Sequence, residues 1–217
     1  MKMRKLALLV FVCCISFGTI GQPKGVAVSH YIFPSFIKGK VLMKNGIKDE
    51  ALINYNSITE QMIFENKGTK LAMSHLENID TVYISDKKFV VYKDKFIEVL
   101  YKSNYELYAA HKCKIKDPGK PAAYGGTSQT SSSTSYSSYF TEGQVYEMEL
   151  PSGFETSPYV DYFLKKDGEM SSFVNLRQLS KLFSTKEEVF KSYVKKNNVK
   201  YENQKSVIDL IRYMETN

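Results

Sequence analysis

From about residue 33 to residue 116, apolar and polar side chains alternate with a period of two, the pattern of half-buried strands. In Ile37-Lys38-Gly39-Lys40-Val41-Leu42-Met43, the side chains of Ile37, Val41 and Met43 share one face, and Lys38 and Lys40 take the other. Asn45-Gly46 supplies a turn that tolerates positive φ, after which Ala51-Leu52-Ile53-Asn54-Tyr55 returns as the next strand. The same alternation predicts strands over residues 61–65, 70–73, 81–85, 89–92, 96–101 and 106–115, separated by short polar breaks such as Asn66-Lys67-Gly68 and Lys93-Asp94-Lys95. Many short strands at close spacing predict an antiparallel meander, closed as a small barrel or folded as a sandwich. The abundant Tyr and Phe suit a pleated, half-buried surface.

The alternation stops over residues 117–144. This stretch opens with Asp117-Pro118-Gly119-Lys120-Pro121 and runs through Gly125-Gly126 into a Ser/Thr tract. Such a composition buries too little apolar area to offset the entropy of ordering, so a loop is predicted. Tyr136, Tyr139 and Phe140 interrupt it and are the candidate binding residues, because tyrosine combines contact area with a polar handle. Strand character resumes at 145–150 and at 159–164, where Tyr159, Asp161 and Phe163 face opposite Val160, Tyr162 and Leu164; Asp167-Gly168 then turns the chain into 169–174.

After Asn175 the period becomes helical. Leu176, Leu179, Leu182 and Phe183 mark a short helix capped by Asn175. Ser184-Thr185-Lys186-Glu187 reads as a capping box leading a second helix with Val189, Phe190, Tyr193 and Val194 as its buried stripe, ended at Asn197-Asn198. A third follows an Asn203 cap, with Val207, Ile208, Ile211 and Met214 on one face. The expected fold is therefore α+β, an antiparallel β-domain over 22–174 with C-terminal helices over 175–217 packed on it.

Ahead of the first strand, residues 1–21 read as a secretory signal peptide. Lys2, Arg4 and Lys5 form a positive region, residues 6–17 an apolar run, and Gly18-Thr19-Ile20-Gly21 places small residues before a cut at Gln22. The run is too short for a membrane-spanning helix, which needs about 20 residues, and no later segment is suitable. Export to the periplasm or beyond is expected, with loose outer-membrane association as a further possibility. A lipid anchor is disfavoured, since Val12 rather than a small residue precedes Cys13.

Losing Lys2, Arg4 and Lys5 lowers the formal charge from +7 to +4, and Arg177 and Arg212 are the only arginines left. Without a clustered basic stripe, nucleic acid is not an expected partner. Outside the signal only Cys113 remains, so no internal disulfide is expected.

His111-Lys112-Cys113 is the most chemical-looking site. Residues two apart on a strand share a face, which would set a thiol beside an imidazole as candidate catalytic groups. The commoner arrangement, a buried thiol and a satisfied core histidine, is the preferred reading. His30, His75 and His111 with one cysteine do not make a structural zinc set, so neither a metal nor a cofactor is expected. Glu98 and Asp161 lie in strands among aromatics and would suit glycoside cleavage if they met across a cleft. Asp80-Thr81-Val82 fits a short acceptor pattern for O-glycosylation at Thr81 in Bacteroidetes envelopes.

The string Gly39-Lys40-Val41 with Asn45-Gly46, Ala51-Leu52-Ile53-Asn54-Tyr55-Asn56 and Met62-Ile63-Phe64 resembles a pattern in secreted Bacteroidetes proteins of unknown function. The stretches Leu182-Phe183-Ser184-Thr185-Lys186-Glu187, Tyr193-Val194-Lys195-Lys196-Asn197 and Leu210-Ile211-Arg212-Tyr213 are similar to the tails of such proteins. This resemblance implies export and carries no activity. The resulting expectation is a non-enzymatic envelope protein that binds a protein or glycan of the cell wall. The alternatives are a periplasmic hydrolase and a small-molecule carrier with its ligand inside a β-barrel.

Overall fold

The computed structural model describes residues 26–27, 30–116, 120–121, 127–128, 149–150 and 155–217. The predicted signal segment and Tyr136, Tyr139 and Phe140 lie outside the described residues. Of the strand predicted over 145–150, Glu149–Leu150 is described, paired with Val26–Ala27; a second short pairing joins Lys120–Pro121 to Thr127–Ser128.

The alternating region folds into one antiparallel sheet of ten strands: β1 Ile37–Met43, β2 Lys48–Asn56, β3 Gln61–Asn66, β4 Thr69–Ala72, β5 Ile79–Ile84, β6 Lys87–Tyr92, β7 Lys95–Lys102, β8 Glu106–Lys116, β9 Glu155–Lys166 and β10 Glu169–Phe173. Their order across the sheet is β10-β9-β8-β7-β6-β5-β1-β2-β3-β4. Two meanders are thus joined back to back. The first runs from β1 out to β4; the chain then crosses to the free side of β1, and the second runs from β5 out to β10. The sheet has two ends and does not close. It curls enough for Phe96 N–H of β7 to donate to the carbonyl of Glu60 in the β2–β3 turn at 3.4 Å.

The turns follow the sequence. Lys67-Gly68 and Asp167-Gly168 take positive φ at both residues, as the right-handed twist of two-residue hairpins requires, and Lys93-Asp94 does so without a glycine. A 3₁₀ turn over Leu76–Asn78 starts the crossover into β5.

One face of the sheet carries two hydrophobic cores side by side. Inside the curl, Val41, Ile53, Tyr55, Met62, Val82, Ile84, Phe89 and Phe96 are almost wholly buried, and Tyr55 stacks on Phe89 with ring centroids 5.5 Å apart. Over the other end, Leu107, Ala109, Tyr162, Leu164 and Phe173 meet the helices, α1 Leu176–Lys181, α2 Glu187–Asn197 and α3 Gln204–Thr216. Asn175 and Asn203 cap α1 and α3 through their side-chain oxygens, on Gln178 N–H at 2.8 Å and Ser206 N–H at 3.1 Å. Asn198 ends α2 in the left-handed conformation.

The capping box does not form. Ser184–Lys186 is a 3₁₀ turn, so α2 begins only at Glu187 and Lys186 occupies its cap position without a side-chain bond to the helix amides. Lys186 instead reaches across to the carbonyl of Met214 at 3.3 Å. The buried face of α3 is Val207, Leu210, Ile211 and Met214; Ile208 is only partly covered. Glu215, near the end of α3, accepts from Tyr101 Oη at 2.5 Å and from Tyr105 N–H at 3.0 Å, fastening the helices to the β7–β8 hairpin.

Gly39 marks the closest approach within the sheet. A Cβ there would stand 2.8 Å from the Tyr83 carbonyl oxygen of β5 and 3.1 Å from Ile53 Cδ1 of β2. Backbone on one side and core on the other leave it no room. Gly39→Ala is expected to cost about 1–3 kcal/mol, read as a lower urea midpoint at unchanged slope; a midpoint equal to the parent's would refute this packing.

Candidate functional site

The second meander is ragged. β7 pairs with β8 only as far as Glu98↔Ala109, and β10 pairs with β9 only from Tyr162↔Phe173, whereas β8 and β9 stay paired out to Lys116↔Glu155. Beyond Ala109 and Tyr162 the sheet continues as a two-stranded ribbon. Two tyrosines close it off at one level, His111↔Val160. Tyr55 Oη donates to the His111 carbonyl at 3.0 Å and lies 3.2 Å from that of Phe96. Tyr201 Oη, from the link between α2 and α3, donates to the Val160 carbonyl at 2.7 Å and lies 3.3 Å from that of Phe173. Burial pushes both phenols well above their ordinary value, with the charge of Glu60 adding to it at Tyr55 and that of Asp161 at Tyr201, so both stay protonated and remain donors.

Over this ribbon lies a trough of about 1040 Å³. Tyr31, Ile32, Ser57 and Lys87 line it from the curled half; His111, Lys112, Lys114, Pro158, Tyr159, Val160 and Asp161 belong to the ribbon; Val174, Tyr201 and Glu202 come from the helical half. The leading segment that brings in Tyr31 is held by Asn54, whose buried amide donates to the carbonyls of Phe33 and Ser35 at 2.9 and 3.0 Å.

Glu98 sits at the seam between the two cores with 5% of its surface exposed. Its carboxylate accepts from Lys87 Nζ at 2.7 Å and contacts His111 Nε2 at 2.5 Å. The imidazole packs edge-on against Tyr55, centroids 6.0 Å apart, and beside Phe89. Burial works to raise the Glu98 carboxyl, but the hydrogen bonds from His111 and Lys87, together with their charges, outweigh it and hold the group below its ordinary value. Lys112 projects from the opposite face and pairs with Asp161 at 3.0 Å and with Glu60 at 3.9 Å. Its ammonium is destabilised by burial, yet the Asp161 hydrogen bond and the Glu60 and Asp161 charges hold it above its ordinary value.

His111 and Cys113 share a strand face without forming a pair. The imidazole is engaged by Glu98, and Cys113 Sγ lies 3.7 Å from the Lys114 carbonyl. Burial pushes the thiol up against weaker opposing hydrogen bonds from Ser157, Ser57 and Thr156, the reverse of what a thiolate nucleophile needs. Glu98 and Asp161 do not face each other. They lie beside Ala109 and Ala110, consecutive residues that point to opposite faces. Thr81 is buried within β5, 2% exposed, with its hydroxyl on Asp80 at 2.8 Å. His75 pairs with its neighbour Glu77 at 3.5 Å, and His30 is buried. Among the described residues no three His, Cys, Asp or Glu side chains gather as a metal site would require, and no helix is long and apolar enough to cross a membrane.

The sequence singled out His111, but not Lys87, Tyr31 or Tyr201. The available signal was Tyr201, an aromatic in the short link 198–203 between helices, where solvent-facing polar residues are the norm. The site and fold together define an open antiparallel sheet with a helical cap and a trough between two cores. Comparison with known families, with curated proteins and with solved structures finds no match.

Because the Glu98 carboxyl is held below its unfolded value near 4.5, its stabilisation is complete above that pH and is lost as pH falls through the lower folded value. Glu98→Gln is expected to cost about 2 kcal/mol at neutral pH, since it leaves Lys87 and His111 without their charged acceptor. The gap between parent and variant should narrow below pH 4.5, which urea unfolding at several pH values measures. A gap that stays constant would show that the carboxylate charge contributes nothing.

Proposed function

We propose that the protein is an exported, non-enzymatic envelope protein that binds a protein or cell-wall partner in the trough over the β8–β9 ribbon. The observation that carries this reading is the lining of the trough. Tyr31, Tyr159 and Tyr201 supply rings with polar edges, while the ionic groups are already bonded to one another, Lys87 and His111 to Glu98 and Lys112 to Asp161. Rings held by a rigid scaffold give contact area at little entropic cost, and a preset ionic frame adds orientation. Export rests on residues 1–21 and a Bacteroidetes origin on the resemblance of the β1–β3 and helical segments. The loop residues Tyr136, Tyr139 and Phe140 are assigned to the same partner.

One observation favours a second reading, a periplasmic hydrolase. Glu98 orients His111 through Nε2 as a carboxylate orients a general base, although Cys113 is not the nucleophile such a site would use.

Titration of the labelled protein with soluble peptidoglycan fragments and with peptides from envelope proteins, followed by amide chemical shifts, tests both readings. Binding should move the amides of Tyr31, His111, Tyr159 and Tyr201. Tyr159→Ala, at a side chain 37% exposed, should weaken binding about tenfold with unchanged thermal unfolding. Shifts confined to other surfaces would overturn the trough as the site, and turnover of a fragment abolished by His111→Gln would replace binding with hydrolysis.

A further inference from the structure

The face of the sheet turned away from the two cores buries a third, smaller cluster around Ile97, Tyr108 and Ala110 and, over β1 to β6, carries a surface rich in lysine. Strand register lays its side chains out in rows. One row reads Lys88, Tyr83, Lys40, Glu50, each opposite the next across adjacent strands, and the neighbouring row reads Lys38, Leu52, Glu65, Lys70. Lys48 extends the patch beside Leu42. Lys38, Lys40, Lys48, Lys70 and Lys88 outnumber Glu50 and Glu65, so the patch is net positive. At its centre Leu52 and Tyr83 stand 43% and 40% exposed.

The charges are arranged for a partner without fixed geometry. Lys38 and Lys40 share the single carboxylate of Glu50, at 2.8 and 3.7 Å, while their side chains remain 76% and 68% exposed. Lys88 extends over the Tyr83 ring, 5.9 Å from its centroid. Every cation is lysine; none is arginine. Ammonium groups on long, exposed stems act as movable point charges and lack the planar fork that matches a particular carboxylate or phosphate. Such a set suits a fluid array of anionic headgroups, with an aliphatic and an aromatic side chain entering the interface between them.

We propose that this face docks the protein peripherally on an anionic lipid surface, with Lys38, Lys40 and Lys88 meeting headgroups and Leu52 and Tyr83 entering the interfacial layer. None of these patch residues lines the trough over the β8–β9 ribbon, which stays open to its own partner when the protein is docked.

Co-sedimentation of the full chain with vesicles of equal parts phosphatidylcholine and phosphatidylglycerol tests the proposal, and every variant carries the same amino-terminal segment. Each lysine near an anionic surface is worth about fivefold in partition. The combined variant Lys38→Gln, Lys40→Gln, Lys88→Gln should therefore lower partition at least about tenfold, and Glu50→Gln should raise it. A control with the same loss of charge on the helices, Lys181→Gln, Lys195→Gln, Lys196→Gln, should stay within about twofold of the parent. Raised salt should release the parent. Equal binding to pure phosphatidylcholine, an equal loss in the helix control, or no vesicle binding by the parent would each overturn the proposal. Binding to polyglutamate without binding to vesicles would replace the lipid with an acidic polypeptide. Unchanged thermal unfolding of the patch variant makes its loss of partition a surface effect, and the gain in Glu50→Gln is read at unchanged thermal unfolding and against a lipid-free sedimentation blank.

Discussion

Strands of unequal length leave main-chain carbonyls without ladder partners wherever a neighbour stops. At the level of His111 and Val160 this happens on both sides of the β8–β9 pair, and on both sides a buried tyrosine hydroxyl meets the carbonyls: Tyr55 from inside the curl, Tyr201 from the link between helices. An unpaired buried carbonyl costs about as much as a lost hydrogen bond, so these hydroxyls let the ribbon run on past the sheet. The trough exists because of that extension. The same two rings belong to the two cores, Tyr55 stacked on Phe89 and Tyr201 set edge-on against Tyr162, so capping the ladder and packing the cores are one arrangement.

The seam between the cores is polar, and Glu98 explains how it is tolerated. A lone buried carboxylate would be strongly destabilising; one that accepts from Lys87 and His111, both of which open onto the trough, is satisfied and still connected to solvent. The result is a preset ionic frame beneath the trough, held by β6, β7 and β8. Within β1, β2, β5 and β6 the pleat divides the sheet: alternate positions carry the core inside the curl on one face and the lysine rows around Leu52 and Tyr83 on the other.

Most of the secondary structure was legible in the chain. Period-two alternation marks most of the strands, although β7 and β8 bury residues on both faces, and the change to helical spacing after Asn175 marks the cap. Asn175 and Asn203 were readable as caps because a short side chain bonding amides two or three residues on is a local event. The Ser184 box was misleading for the opposite reason. Its local signal lost to a tertiary one, the 3₁₀ turn that sends Lys186 to the end of α3. The site was legible only in pieces. His111 stood out by type and reads first as a satisfied core histidine rather than a partner of Cys113, but that Glu98 on the neighbouring strand is what satisfies it appears only in the structure.

The sequence by itself determined the elements, their amphipathic faces and the turns that join consecutive strands, since all of these depend on side chains a few residues apart. It did not determine that β5 crosses to the free edge of β1, nor that β7 and β10 stop short of the β8–β9 ribbon. Those outcomes depend on pairing between segments far apart in the chain, where several registers satisfy the same alternation and only the packing of whole cores selects one. Gly39 shows the division. As a glycine in a strand it is only a weak mark in the sequence, and its reason appears once β1 is pressed between Tyr83 of β5 and Ile53 of β2.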